Sequence, residues 1–139
     1  VPDSPGSGYD IWALDNFTRG RKFREIFGAN LPFNFPVISS FENGTAVMIK
    51  SMNLSARSYS ENENIEKRVM EFIHEMANYE GQEEPWGKSG ISIRKEEIMK
   101  RQIILIIPDI ELSNEKQQLL EECRLRASAA GIELRICRY

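Results

Sequence analysis

Apolar residues recur every three or four positions in IEKRVMEFIHEMANYEG, where Ile65, Val69, Phe72, Ile73 and Met76 fall on one helical face and Gly81 follows. A shorter stripe of Phe23, Ile26 and Phe27 runs through DNFTRGRKFREIFGANLP. It predicts a helix over about Thr18–Phe27, stopped by Gly28 with Pro32 beyond, and it leaves Glu25 beside the apolar pair. A third helix is expected after Ser113, which can cap it, with Glu115 favourable in the first turn. Its inner stripe is Leu119, Leu120, Cys123, Ala127 and Ala130, and Gly131 ends it.

Between these helices the period shortens. FPVISSFENGTAVMIKSMN has β-formers on both sides of Asn43-Gly44, a pair that tolerates the positive φ angles of a two-residue type I′ turn, and so predicts a hairpin. Gln102 to Ile107 is a continuous apolar run after its first residue, closed by Pro108, as expected of a strand covered on both faces. In IELRIC, inward Ile132, Leu134 and Ile136 alternate with outward Glu133 and Arg135. LSARSYSENEN and QEEPWGKSG read as polar loops, and ISIRKEE has no clear period.

A buried strand, a helix and a second strand imply a right-handed parallel crossover from Ile103–Ile107 to Ile132–Cys137. With the hairpin and the earlier helices, the order is αββαβαβ: an α/β chain with a mixed sheet and helices packed on it. The 139 residues are enough for one domain with a core. VPDSPGSG has linker composition, so residues 1–16 are expected to be a linker or extended segment and 17–139 the single domain.

Charge narrows the chemistry. The net charge of −3 is not that of a general nucleic-acid coat, so phosphate contact would have to come from local patches. Two are present: Arg19, Arg21, Lys22 and Arg24, and later Arg124, Arg126, Arg135 and Arg138. On charge alone, both read as solvated faces. Two cysteines and one histidine exclude a usual Cys/His zinc site, and His74 in mid-helix has no serine in a nucleophile elbow to serve. Cys123 and Cys137 are expected to be reduced and buried. No apolar run approaches the roughly 20 residues of a membrane span.

The hairpin turn sets a register. With Asn43-Gly44 as the turn, Glu42 faces Thr45, Phe41 faces Ala46, Ser39 faces Met48 and Val37 faces Lys50. Ser39, Met48 and Lys50 then share a face with Val37, Phe41 and Ala46, and Glu42 lies on the other face with Ile38, Val47 and Ile49. A lone lysine on such a strand is ordinarily an outward, solvated residue.

The ordered set of motifs changes that reading. GRKFREIFGANLPFNFPVISSFENGTAVMIKSMNLSARSY, then RQIILIIP with a glutamine at Gln117, resembles the toxin domain at the C-terminus of CdiA-type contact-dependent growth-inhibition exoproteins. Those toxins belong to the PD-(D/E)XK nuclease superfamily. The resemblance implies a restriction-endonuclease-like core and a metal-dependent phosphodiesterase cutting DNA or tRNA, with Mg²⁺ or Mn²⁺, or Zn²⁺ as a third candidate. It also implies a cognate immunity protein, and secretion within a larger exoprotein that acts in the target-cell cytoplasm. Residue by residue, Glu25 would be the helical acid and metal ligand, Lys50 the catalytic lysine, and Arg21, Arg101 and Gln117 substrate contacts. By itself, Arg101 could equally pair with a carboxylate such as Glu97, and Gln117 could be surface.

Two positions depart from the pattern. Ser39 stands where an aspartate is wanted, and Met48 stands two residues before the lysine, where the superfamily has Asp or Glu and this group often Ser. A hydroxyl is a poor ligand for a hard dication and a thioether a worse one, so metal should bind weakly if at all. The expectation is therefore a nuclease scaffold that cuts poorly as written, or a non-catalytic interaction domain that keeps the fold.

Overall fold

The computed structural model describes residues 10–139; residues 1–9 of the linker-like segment lie outside the described residues. Helix α1, Asn16–Ile26, begins two residues earlier than its apolar stripe suggests. The reason is Asp15, whose carboxylate accepts the Thr18 N–H at 2.8 Å and the Thr18 hydroxyl at 2.9 Å. Those bonds hold the Asp15 carboxyl below its usual range.

Strands β1, Ser40–Glu42, and β2, Thr45–Ser51, form the hairpin, and α2 covers Asn62–Ala77. After β3, Gln82–Trp86, and β4, Ile91–Ile93, come β5, Lys100–Ile107, helix α3, Asn114–Ala129, and β6, Ile132–Arg138. The main sheet has four strands in the order β1-β2-β5-β6; β1 is antiparallel to β2, and the pairs β2–β5 and β5–β6 are parallel. The parallel crossover through α3 and the mixed sheet are those the sequence implies.

Helices cover both faces of the sheet, which is why β5 is continuously apolar rather than alternating. Ile103, Leu105 and Ile107 enter the larger core with α2 and α3, while Ile104 and Ile106 enter a smaller one with Phe23 of α1 and with Ile11. All five stripe residues of α2 are buried. Leu120, Cys123 and Ala127 of α3 are buried, but Ala130 caps the helix and is exposed, contrary to its expected inward position. The cysteines are free thiols in different cores, Cys123 buried and Cys137 half-buried.

Strands β3 and β4 form a separate two-stranded sheet that replaces the loop expected at QEEPWGKSG. Two glutamates and a proline are poor strand formers, so local preference hides it. Gly81 admits the close pass: at φ +95° it lies where a Cβ would run into the Ile93 carbonyl.

Arg101 ties the sheet to α2. Its Nη1 donates to the Met76 and Tyr79 carbonyls, both at 2.7 Å, satisfying two acceptors at the end of α2. Arg101→Met should therefore cost about 2–3 kcal/mol by urea denaturation, the loss of charge-assisted bonds to half-buried acceptors. A cost under about 0.5 kcal/mol would mean the two bonds add nothing net.

Candidate functional site

The Asn43-Gly44 turn forms as the sequence predicts, with φ of 52° and 80°. Ser40, Phe41 and Glu42 pair with Val47, Ala46 and Thr45 in the expected register. Beyond Ser40 the ladder slips. The Ser39 N–H donates to the Val47 carbonyl at 2.7 Å, although Val47 already stands opposite Ser40, so two residues of one strand share one partner. Val37 then takes a φ of 66°, and the Ile38 N–H closes a tight turn on the Pro36 carbonyl at 2.7 Å.

The one-residue slip corrects three sequence expectations. Ser39 stands with Ser40 against Val47 and does not face Met48. Ile38, expected on the face with Glu42, enters the α2-side core with Ala46 and Met48. Val37 does not pair with Lys50, because β1 begins only at Ser40; the strand neighbour of Lys50 is Leu105 on β5.

Lys50 opens into a cleft of about 310 Å³ between α1, the end of β2 and α2. Helix α1 presents Asn16, Arg19, Gly20 and Arg24, a stripe at i, i+3, i+4 and i+8 that comes round to one side. Ser51, Ser58 and Tyr59 supply hydroxyls, and α2 supplies Arg68 and Phe72. Among the described residues, no carboxylate lines it.

The cations are held in different ways. Arg19, 8% exposed, donates to the Leu14 carbonyl, Asn16 Oδ1 and Ser51 Oγ, and lies over the Trp12 ring. Arg24 donates through Nη1 to the Phe33 carbonyl at 3.0 Å. Arg68 pairs with Glu71 and stacks 4.6 Å from the centre of the Phe72 ring. Lys50 has no hydrogen-bond or ion-pair partner among the described residues; its ammonium rests 5.6 Å from the centre of that same ring. Burial pulls it below the usual lysine range; Glu75 partly offsets this, and Arg24 and Arg68 add to it.

The remaining candidates are dispersed. Glu25 is exposed on α1 and does not line the cleft, although Arg24 beside it does, because each residue turns the side chain by about 100° around the helix. Ser39 is buried at 6% exposure and outside the lining, and Met48 is fully buried in the core. Arg21 lies 4.3 Å over the Phe33 ring. Gln117 donates to the Leu112 carbonyl at 2.9 Å, and Arg101 holds α2 as described. The sequence offers no local sign that Arg68 and Phe72 meet Lys50, because that contact spans β2 and α2.

Among the described residues no three His, Cys, Asp or Glu side chains converge as metal ligands. The resemblance implies a divalent metal, but a cleft of guanidinium, ammonium and hydroxyl groups does not fit a hard dication, which needs anionic oxygen. It fits an anion. In the C-terminal arginine cluster two of the four cations are neutralised, Arg124 by Glu121 and Arg126 by Glu66, while Arg138 donates to the neutral Ile110 carbonyl. Among the described residues, no helix is long and apolar enough to cross a membrane.

Comparison with known proteins gives this cleft a setting. None of the curated proteins matches the chain. Among solved structures, the fold is similar to the CdiA-CT/CdiI toxin and immunity complex from Yersinia pseudotuberculosis. The TM-score is 0.71 at 16% identity, over 84% of this chain and 98% of that one. Residues 19–137 match the family described as CDI toxin restriction endonuclease-like domain, and the span from buried Arg19 to Cys137 takes in most of α1, the hairpin and every cleft residue but Asn16. With that match over most of its length, the chain belongs to the CDI toxin restriction endonuclease-like domain family.

Proposed function

We propose that this nuclease-type toxin domain acts on the phosphodiester backbone of nucleic acid, DNA or tRNA, at the Lys50 cleft, and that its metal-dependent cleavage is weak as written. The observation that carries the reading is a part-buried ammonium that, among the described residues, has no ion-pair partner and sits in a cleft lined with arginine and no carboxylate, beside the hairpin of a nuclease-like fold. There Lys50 would offset the charge that builds on a phosphate oxygen as the bond is attacked, with Arg24 and Arg68 holding the group in place. Any Mg²⁺, Mn²⁺ or Zn²⁺ would bind weakly, because Glu25 faces away and Ser39 supplies no charge.

In this reading the domain is part of a larger exoprotein delivered into target cells, and a cognate immunity protein neutralises it in the producer. The structurally similar Yersinia toxin, solved with its immunity protein, supports that partner. The missing carboxylate also favours a second reading, a non-catalytic interaction domain on the same scaffold.

Ser39→Asp separates the two readings. With Mg²⁺ or Mn²⁺, the variant should cut a DNA plasmid or bulk tRNA roughly tenfold or more faster than the parent. In chelator it should melt lower, since Ser39 is buried and the new carboxylate would have no cation beside it. No gain on either substrate would leave the interaction-domain reading standing.

A further inference from the structure

Most large apolar side chains are buried, but Phe17 and Phe33 are 63% and 44% exposed. They are not scattered. Their rings meet edge to face with centroids 5.9 Å apart, and the Arg21 guanidinium lies 4.3 Å over Phe33 and 5.9 Å from Phe17. This ledge adjoins the Lys50 cleft. The Arg24 guanidinium, in the cleft lining, donates to the Phe33 carbonyl at 3.0 Å, and Asn16, next to Phe17, lines the cleft too.

We infer that the ledge and the cleft form one site for single-stranded nucleic acid: a backbone phosphate is held directly by Lys50, Arg24 and Arg68, without a divalent ion, and a neighbouring base stacks on Phe17, Phe33 and Arg21. The inference rests on the reading of the chain as a domain that acts on nucleic acid, and adds the strandedness of what it takes. Three features point to a single strand. Base faces are free for stacking only where a strand is unpaired, and exposed aromatics with arginine are what such faces stack on. The cleft, about 310 Å³, is at the small end of ligand pockets and suits one nucleotide unit rather than the width of a duplex. Its cations have few competing anions: Lys50 has no ion-pair partner among the described residues and feels Glu75 only through space, Arg24 bonds a neutral carbonyl, and Arg68 alone of the three pairs with a carboxylate, that of Glu71. An acidic peptide would satisfy the cations but leave the ledge without an occupant.

Fluorescence anisotropy with a labelled twelve-nucleotide strand and its blunt duplex, both in EDTA, tests this. The single strand should bind about tenfold tighter than the duplex, and added Mg²⁺ should not strengthen it. Lys50→Gln should weaken binding and lower the salt slope by about 0.7, one phosphate contact on a single strand. Phe33→Ala should weaken it about tenfold with the slope unchanged, since stacking releases no counterion. Phe17→Ala, more exposed still, gives the same readout should the Phe33 variant fold poorly.

Binding that appears only with Mg²⁺, equal affinity for duplex, or full affinity in both phenylalanine variants would each overturn the inference. The last of these would leave the ledge to a protein partner. The nuclease reading fails separately. Single-strand binding in EDTA by a chain that never cuts, even as Ser39→Asp, keeps this site and discards that reading; duplex cleavage with equal affinity for duplex does the reverse.

Discussion

Met48→Glu should cost at least about 4 kcal/mol at pH 7, enough to leave much of the protein unfolded at room temperature. Position 48, two residues before the lysine, is where the superfamily has an acid and the resembled group often a serine, yet the structure has given it to the core. Met48 is fully buried beside Ile103 of β5, in the cluster that holds Ile65, Val69 and Met76 of α2. A carboxylate there loses its water and gains no donor. Lys50 is on the same face, but its ammonium has reached past the core to the Phe72 ring and the cleft.

The sign of the pH dependence follows. Burial raises the folded-state pKa of the new glutamate above its unfolded value of about 4.3. The penalty is therefore small below pH 4.3, grows as pH rises towards the folded-state pKa, and levels off above it. Urea denaturation at pH 4 and pH 7 measures the difference. Met48→Leu, which nearly conserves volume, should cost under about 1.5 kcal/mol at either pH. If Met48→Glu matched Met48→Leu at pH 7, the site would still have room for an acid, and the weak metal binding proposed for this chain would need another cause.

The contrast between Met48 and Lys50 shows what local sequence reveals here. The Asn43-Gly44 turn, the α2 stripe and the buried β5 run depend on residues within a few positions of one another, and all three form as read. Strand parity along β2 also holds: Ala46 and Met48 face α2, and Val47 and Ile49 face α1. The first strand is different, because one slipped hydrogen bond at Ser39 reverses parity for everything before it. Nothing local announces that slip, since a β-branched residue such as Val37 is an unfavourable choice for positive φ.

Helix phase limits the site in a similar way. Glu25 and Arg24 are neighbours in sequence, yet only the arginine reaches the cleft, and which of the two does so depends on where α1 lies against β2. The basic cluster at residues 19–24 could be read from composition, but not that Arg19 and Arg24 converge with Lys50 and Arg68 while Arg21 turns to Phe33. Those are contacts across the fold. The β3–β4 pair was hidden because its stability comes from packing of Ile93, Trp86 and Ile91 on the core rather than from strand-forming residues.

Phe72 joins core and site, and two substitutions there separate its roles. Phe72→Ala should cost about 3–5 kcal/mol, because the ring is only 4% exposed and its removal leaves a void under α2. Phe72→Leu keeps most of the volume and should cost under about 1.5 kcal/mol. Both remove the aromatic face on which the Lys50 ammonium and the Arg68 guanidinium rest. A protonated lysine gains from that face and a neutral one does not, so the leucine variant should depress the Lys50 pKa further than burial already does. Oligonucleotide binding that needs the ammonium fades as pH rises through that pKa, and in Phe72→Leu it should fade at lower pH than in the parent. Equal stability loss with an unmoved alkaline limb would make Phe72 a core residue alone. A shifted limb at nearly parental stability would identify the ring as what helps the Glu75 carboxylate keep a part-buried cation charged.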